Sequence, residues 1–361
     1  MAATVSGAVH AYFLYDVAEG IDLAHVQRLI GPAVKARLAP KPSTPPYVQY
    51  QQAPVAIDGP SVDMPEHDGF QVRFKLFDYG VISVALTRPL PTTWDQLLEQ
   101  GLGWYENPGL SAAAERFCRA LLERLQPAIT RARHDFLTED YLVFAARPQE
   151  TQTAAAFLAE HGAELAQLLR GERDRLSAEE REEVLRHHLS YFDNDLVIPT
   201  WNAAFIHDEE AGTQGILEIL EFANSQLLEF RYYDRLLDAE LSRIYAQLQR
   251  GGWRQTWFGR RYAGAARQVH ELFIDVNELT DKTENALKIA GDVYAARLFS
   301  LVTARLALDH WKASVREKLQ TVDDIYRFAV EHTAMARGEF LELTIVFLIL
   351  FEIVLALTGL D

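Results

Sequence analysis

The stretch from Leu341 to Leu360 constrains this chain more than any other part of it. At about 1.5 Å per residue a helix over these positions spans roughly 30 Å, the thickness of a bilayer's hydrocarbon core. Fourteen of the positions are Leu, Ile, Val or Phe. Each favours insertion by roughly 0.3–0.6 kcal/mol, against a cost of about 2.5–3.5 kcal/mol for one central acid, here Glu352. The balance predicts a transmembrane helix over 339–361. Its carboxyl, costly in hydrocarbon, is expected to face a partner helix or a wet path. Arg327 and Arg337 precede the run and no basic residue follows it, so residues 1–338 are expected in the cytoplasm. The alternative is a buried C-terminal helix in a soluble oligomer, since Glu342 and Glu352 interrupt the run.

The net charge of −16 and a pI near 5.2 argue against DNA, and against bulk attraction to any polyanion. Cys118 is the single cysteine and reads as a small buried residue in a reducing compartment. The first ten residues show neither a secretory nor a mitochondrial leader pattern. Arg far outnumbers Lys and Ala is abundant, which suggests a GC-rich bacterial genome and hence a bacterial inner membrane.

Along the chain, residues 8–17 read as a strand, 21–38 as a helix, and Pro40 to Pro46 as a loop. Phe70–Phe77 alternates apolar and polar, Asp78, Tyr79 and Gly80 supply a turn, and Val81–Leu86 returns as a hairpin. Helices are predicted at 93–101, 111–126 and 153–169, with a strand over Tyr141–Ala146. Ser177 with Glu180 three residues on is a helix N-cap signature. Leu189–Ile206, with Pro199 inside, reads as extended or irregular. Beyond Gly212, apolar residues recur at helical spacing from Ile216 to Leu248, and again from Val269 to Val293. A weaker pattern follows to Tyr326, with a break expected near Asp309 or Thr321. The fold class is therefore α+β: an N-terminal mixed α/β head domain (1–210), a long α-helical stalk (211–338, a helical hairpin with its loop near 250–262), and the single C-terminal transmembrane helix.

Chemistry-bearing clusters are few. His187, His188, Asp193 and Asp195 lie within nine residues, but adjacent histidines on a helix point about 100° apart and rarely share a metal. A polar helix end followed by a turn explains them better. His207 to Glu210 is an acidic approach to a helix N-terminus. The Trp and Arg residues between Arg250 and Tyr262 form the one basic aromatic patch, suited to RNA, a partner or lipid headgroups. Glu278 with Lys282 and Glu284 with Lys288 are i,i+4 pairs on an exposed face. No nucleophile elbow, phosphate loop, dinucleotide fingerprint, zinc-protease motif or Cys pair occurs. No catalytic residue, metal or cofactor is called for. The seam through Val276 and Leu279 exceeds what one neighbouring helix covers and points to a homo-oligomer.

Five ordered segments resemble the Rmd/YagE family of membrane-associated proteins. They carry Phe77, Asp78, Tyr79 and Gly80; Asp193, Asp195 and Trp201; Asn224, Arg231, Tyr233 and Asp234; Glu284, Asn285, Gly291 and Asp292; and the anchor around Glu352. The family's acid before the tryptophan is replaced here by Thr200. The resemblance implies a non-enzymatic, tail-anchored oligomer on a lipid bilayer, with a protein or ribosome as its partner. In architecture alone the arrangement also resembles CorA-type magnesium channels, without their Gly-Met-Asn loop. The expectation is a membrane scaffold or tether, with an ion-conducting oligomer lined by Glu352 as its rival.

Overall fold

The computed structural model describes residues 6–30, 53–64, 67–90, 93–147, 152–250, 274, 276 and 293–358. Its strands are β1 (Gly7–Ile21), β2 (Val55–Met64), β3 (His67–Leu76), β4 (Val81–Pro89), β5 (Ile129–Ala146), β6 (Leu196–Pro199) and β7 (Ala203–His207). Its helices are α1 (Leu23–Ile30), α2 (Trp94–Leu102), α3 (Pro108–Leu125), α4 (Ala154–Arg170), α5 (Ala178–Arg186), α6 (Glu210–Arg250), α7 (Val293–Arg305) and α8 (Leu308–Thr358). The chain divides into two compact units, Met1–Tyr232 with Leu279–Trp311, and Tyr233–Glu278 with Lys312–Asp361.

The first unit is built on a seven-stranded sheet of order β2-β3-β4-β1-β5-β7-β6, antiparallel except where β5 meets β7. Strand alternation sorts its faces. Val9, Ala11, Phe13 and Tyr15 of β1 point into an apolar core with Val72, Phe74 and Leu76 of β3 and Leu142 and Phe144 of β5. Helix α3 presents Leu110, Ala114, Cys118, Leu121 and Leu125 to that core, a stripe at steps of three and four. Its start is fixed by Asn107, whose side chain accepts from the amides of Gly109 and Leu110, with Pro108 at the first helical position.

The opposite face carries buried apolar residues such as Tyr12, Leu14, Val143 and Ile206 together with a few buried polar ones. In register, Lys75 lies beside Ser83, Ser83 beside Leu14, and Leu14 beside Glu139, so these four form one row across the sheet. Helix α6 covers this row, its Glu218 accepting from Lys75 at one end and its Arg231 donating to Glu139 at the other. Those thirteen steps measure about 20 Å along the helix. The three strand spacings from β3 to β5 measure about 14 Å, so the helix crosses obliquely. Residues 219–230 of α6 are all buried, and Phe222 meets Phe299 of α7 at 6.0 Å between ring centroids.

In the second unit, Leu237, Ile244 and Val276 are buried. Lys318 bridges Asp234 at 2.8 Å and Asp238 at 2.7 Å, and Ser314 donates to Asp234 at 2.7 Å. Six consecutive residues of α8, Ile345 to Leu350, are large, apolar and 50–67 % exposed.

The predicted membrane anchor is corrected here. Among the described residues, no helix is long and apolar enough to cross a membrane. Glu352 falls within α8, but its side chain lies outside the described residues, as do Leu279, the loop at 251–262 and most of the seam from Val269 to Val293. The expected helical break falls at Ala307, whose φ is +51°, while Thr321 sits inside continuous helix.

Candidate functional site

The polar layer under α6 is built from ionic pairs that its burial demands. Lys75, 6 % exposed, donates to Glu218 at 2.8 Å and also to Glu221. Burial alone would lower the Lys75 pKa, but the two carboxylates outweigh it and hold the ammonium above its ordinary range. Asp16, fully buried on β1, pairs with Arg133, whose guanidinium lies 3.7 Å from the centroid of the Tyr232 ring. Arg231 pairs with Glu139 and lies 5.9 Å from the Trp311 ring. Burial raises the Glu139 carboxyl above the usual range, with Arg231 opposing.

Where β1, β5 and the start of α3 meet, a cavity of about 250 Å³ opens. Tyr12, Phe13, Tyr15 and Trp104 give it aromatic walls, and Glu106, Glu139 and Asp140 give it carboxylates. Asp140 still reaches solvent, yet surrounding protein raises its pKa by desolvation, and Glu106 adds to the rise. Trp104 is 3 % exposed and its indole N–H has no acceptor among the described residues. Glu106 adopts φ +47°, an uncommon conformation for a residue with a side chain, immediately before the α3 cap.

The residues singled out from sequence separate into structural roles. Phe77, Asp78, Tyr79 and Gly80 form the β3–β4 turn: the Ile21 amide donates to the Asp78 carbonyl and the Val17 amide to the Gly80 carbonyl. Phe77 stacks on Tyr79 at 5.3 Å, and the Tyr79 hydroxyl lies 2.6 Å from Ser225 Oγ. Asp195 accepts the amides of Tyr191 and Phe192 in a turn, and Asp193 offers its carbonyl to the Ala154 amide. His188 contacts the Leu185 carbonyl at 2.7 Å, and His187 lies 3.7 Å from Glu183. These are a helix end and a turn. Among the described residues, no group of three or more His, Cys, Asp or Glu could hold a metal ion.

Trp201 is 60 % exposed, while Asn224 is 1 % exposed and donates to the Leu220 carbonyl. Asp234 holds Lys318, and Tyr233 is half-buried. Glu284, Asn285, Gly291 and Asp292 lie outside the described residues. The cavity residues Trp104, Glu106, Glu139 and Asp140 were not legible from sequence. Glu139 and Asp140 sit in the polar part of β5, where acids read as solvated surface.

The fold and this site define a mixed α/β domain with a buried ionic layer on one sheet face and an acid-lined aromatic cavity beside it. Residues 6–214 match the family described as "Uncharacterized protein MJ0711, N-terminal domain", and the chain belongs to that family. The cavity lies wholly within the matched residues. The uncharacterized protein MJ0711 of Methanocaldococcus jannaschii is 29 % identical over 205 residues, covering 56 % of this chain and 61 % of the relative. The chain thus spans about three fifths of that relative's length. No solved structure matches the chain.

These findings overturn the Rmd/YagE resemblance and what it implied. The Phe77–Gly80 segment is explained by turn geometry, since Gly80 has φ +96°, so likeness there reports a turn rather than descent. The relative is archaeal, which removes the support for a bacterial inner membrane.

Proposed function

We propose that this chain is a non-catalytic scaffold that assembles with copies of itself through helix α8. One observation carries the reading: the exposed run from Ile345 to Leu350. Six successive helical positions turn through about 600°, so the apolar surface encircles the helix rather than forming a stripe. A helix apolar all round is normally buried. Val276, the residue first singled out for assembly, is already 5 % exposed within the single chain, so the uncovered surface lies on α8 instead. A second copy supplies a matching uncharged surface, and closed homo-oligomers are the commonest soluble assemblies. The lack of any catalytic motif favours a structural role.

Cross-linking tests this directly. Cys118 is buried and burial pushes its thiol up to about 12, so it stays protonated and unreactive. A cysteine introduced at any position from 345 to 350 is then the reactive thiol. Under mild oxidation these variants should form interchain disulfides far faster than Tyr191→Cys, a position 63 % exposed. Equal rates at all positions would remove the case for α8. Recovery of the chain only with lipid or detergent would replace the second copy with a different occupant.

A further inference from the structure

Resting on the reading of α8 as the surface of self-association, we infer that each copy engages two or more others through different sides of that helix, in a closed bundle of at least three chains. Successive helical residues lie about 100° apart, so Ile345 to Leu350 point in six directions whose widest gap is about 100°. Each is 50–67 % exposed, so no side of the helix here is covered within one chain. A helix packed on one side needs an apolar stripe of about 100°, and a two-stranded coiled coil needs less. One neighbour would therefore leave about two-thirds of this belt in water. Helix α3 shows the one-sided pattern in the same chain: its apolar stripe is buried while Arg116, Arg119, Glu123 and Arg124 are exposed.

The six residues fall into three rows at i,i+3 spacing: Ile345 with Leu348, Val346 with Ile349, and Phe347 with Leu350. Each row is a pair of large apolar side chains, and no charged residue lies between Glu342 and Glu352. No row is thus marked as the one that must stay in water. A two-fold pair sets the same patch of both copies face to face and covers one side of each helix. When a row of one copy meets a different row of the next, the contact runs head to tail and closes into a ring. Such a ring gives every α8 two neighbours and buries two rows.

Sedimentation equilibrium of the full chain tests the bundle, for wild type and for Leu348→Lys, Ile349→Lys and Leu350→Lys, one variant in each row. Wild type should sediment at three times 40.9 kDa or more. At least two of the three variants should fall below that mass, with the thermal transition unchanged as the check on folding. A wild-type mass of twice 40.9 kDa, or a loss of mass in only one variant, would overturn the bundle and leave self-association through α8 standing. A wild-type mass of 40.9 kDa would overturn both. An assembly of three or more copies that none of the variants loosens would place the contact elsewhere and overturn both as well.

Discussion

His207 shows how one side chain ties this fold to pH. It is 2 % exposed on β7, stacked on Phe157 at 4.3 Å, and neither ring nitrogen has a hydrogen-bond partner among the described residues. Desolvation lowers its pKa to about 4, while Asp195 pulls the other way and His161 adds to the lowering. A neutral folded imidazole and a protonatable unfolded one make the unfolded chain bind more protons between pH 4 and 6.5. The His207 contribution is therefore complete above about pH 6.5 and is lost as pH falls towards 4. Asp208 opposes it: desolvation raises its pKa from 3.8 to about 6, so its effect on stability grows worse as pH rises through that range. His207→Phe should gain about 3 kcal/mol relative to wild type between pH 7 and pH 4, read from urea transitions. A pH-independent difference would contradict this. Lys75→Met leaves two carboxylates in the polar layer without their ammonium and should cost about 3–5 kcal/mol, partly recovered by adding Glu221→Gln. A loss below about 1 kcal/mol would mean that solvent already screens the pair.

Elements with strong local signals were legible in the sequence, and those made by long-range pairing were not. The β3–β4 hairpin follows from alternation plus the turn glycine. At Gly80, φ is +96° and an added Cβ would sit 2.0 Å from the Ala18 carbonyl oxygen. Gly69 has φ +83° with nothing within 4 Å. Gly69→Ala should thus cost about 1–2 kcal/mol for backbone strain alone, and Gly80→Ala distinctly more. Equal costs in thermal or urea unfolding would exclude the clash. The Ser177 cap was readable for the same local reason, and its hydroxyl does accept from the Glu180 amide at 3.1 Å. Strand β5 was predicted only from Tyr141, because residues 130–140 are mostly polar and exposed, and pairing with β1 rather than burial makes them a strand. Strand β2 was missed because Gly59 and Pro60 break its pattern at a register shift. The cavity was hidden for a related reason: its carboxylates come from the α3 approach and from β5, over thirty residues apart in sequence.

At the scale of the whole molecule, the apolar C-terminal run was the plainest feature of the sequence and its reading changed most. Hydropathy alone made it an anchor, whereas no described helix is long and apolar enough to cross a membrane. The proposal made above takes up the second possibility that the sequence held open, a helix covered by another copy. The net charge of −16 repels copies from one another, so association should strengthen as salt screens that repulsion. The most direct measurement is particle mass by light scattering at micromolar concentration, for wild type and for a variant carrying Phe347→Lys and Ile349→Lys. The account predicts a wild-type mass at a multiple of 40.9 kDa, rising or holding with salt, and a variant near 40.9 kDa with its thermal transition unchanged. A wild-type particle of 40.9 kDa at every salt concentration would contradict it.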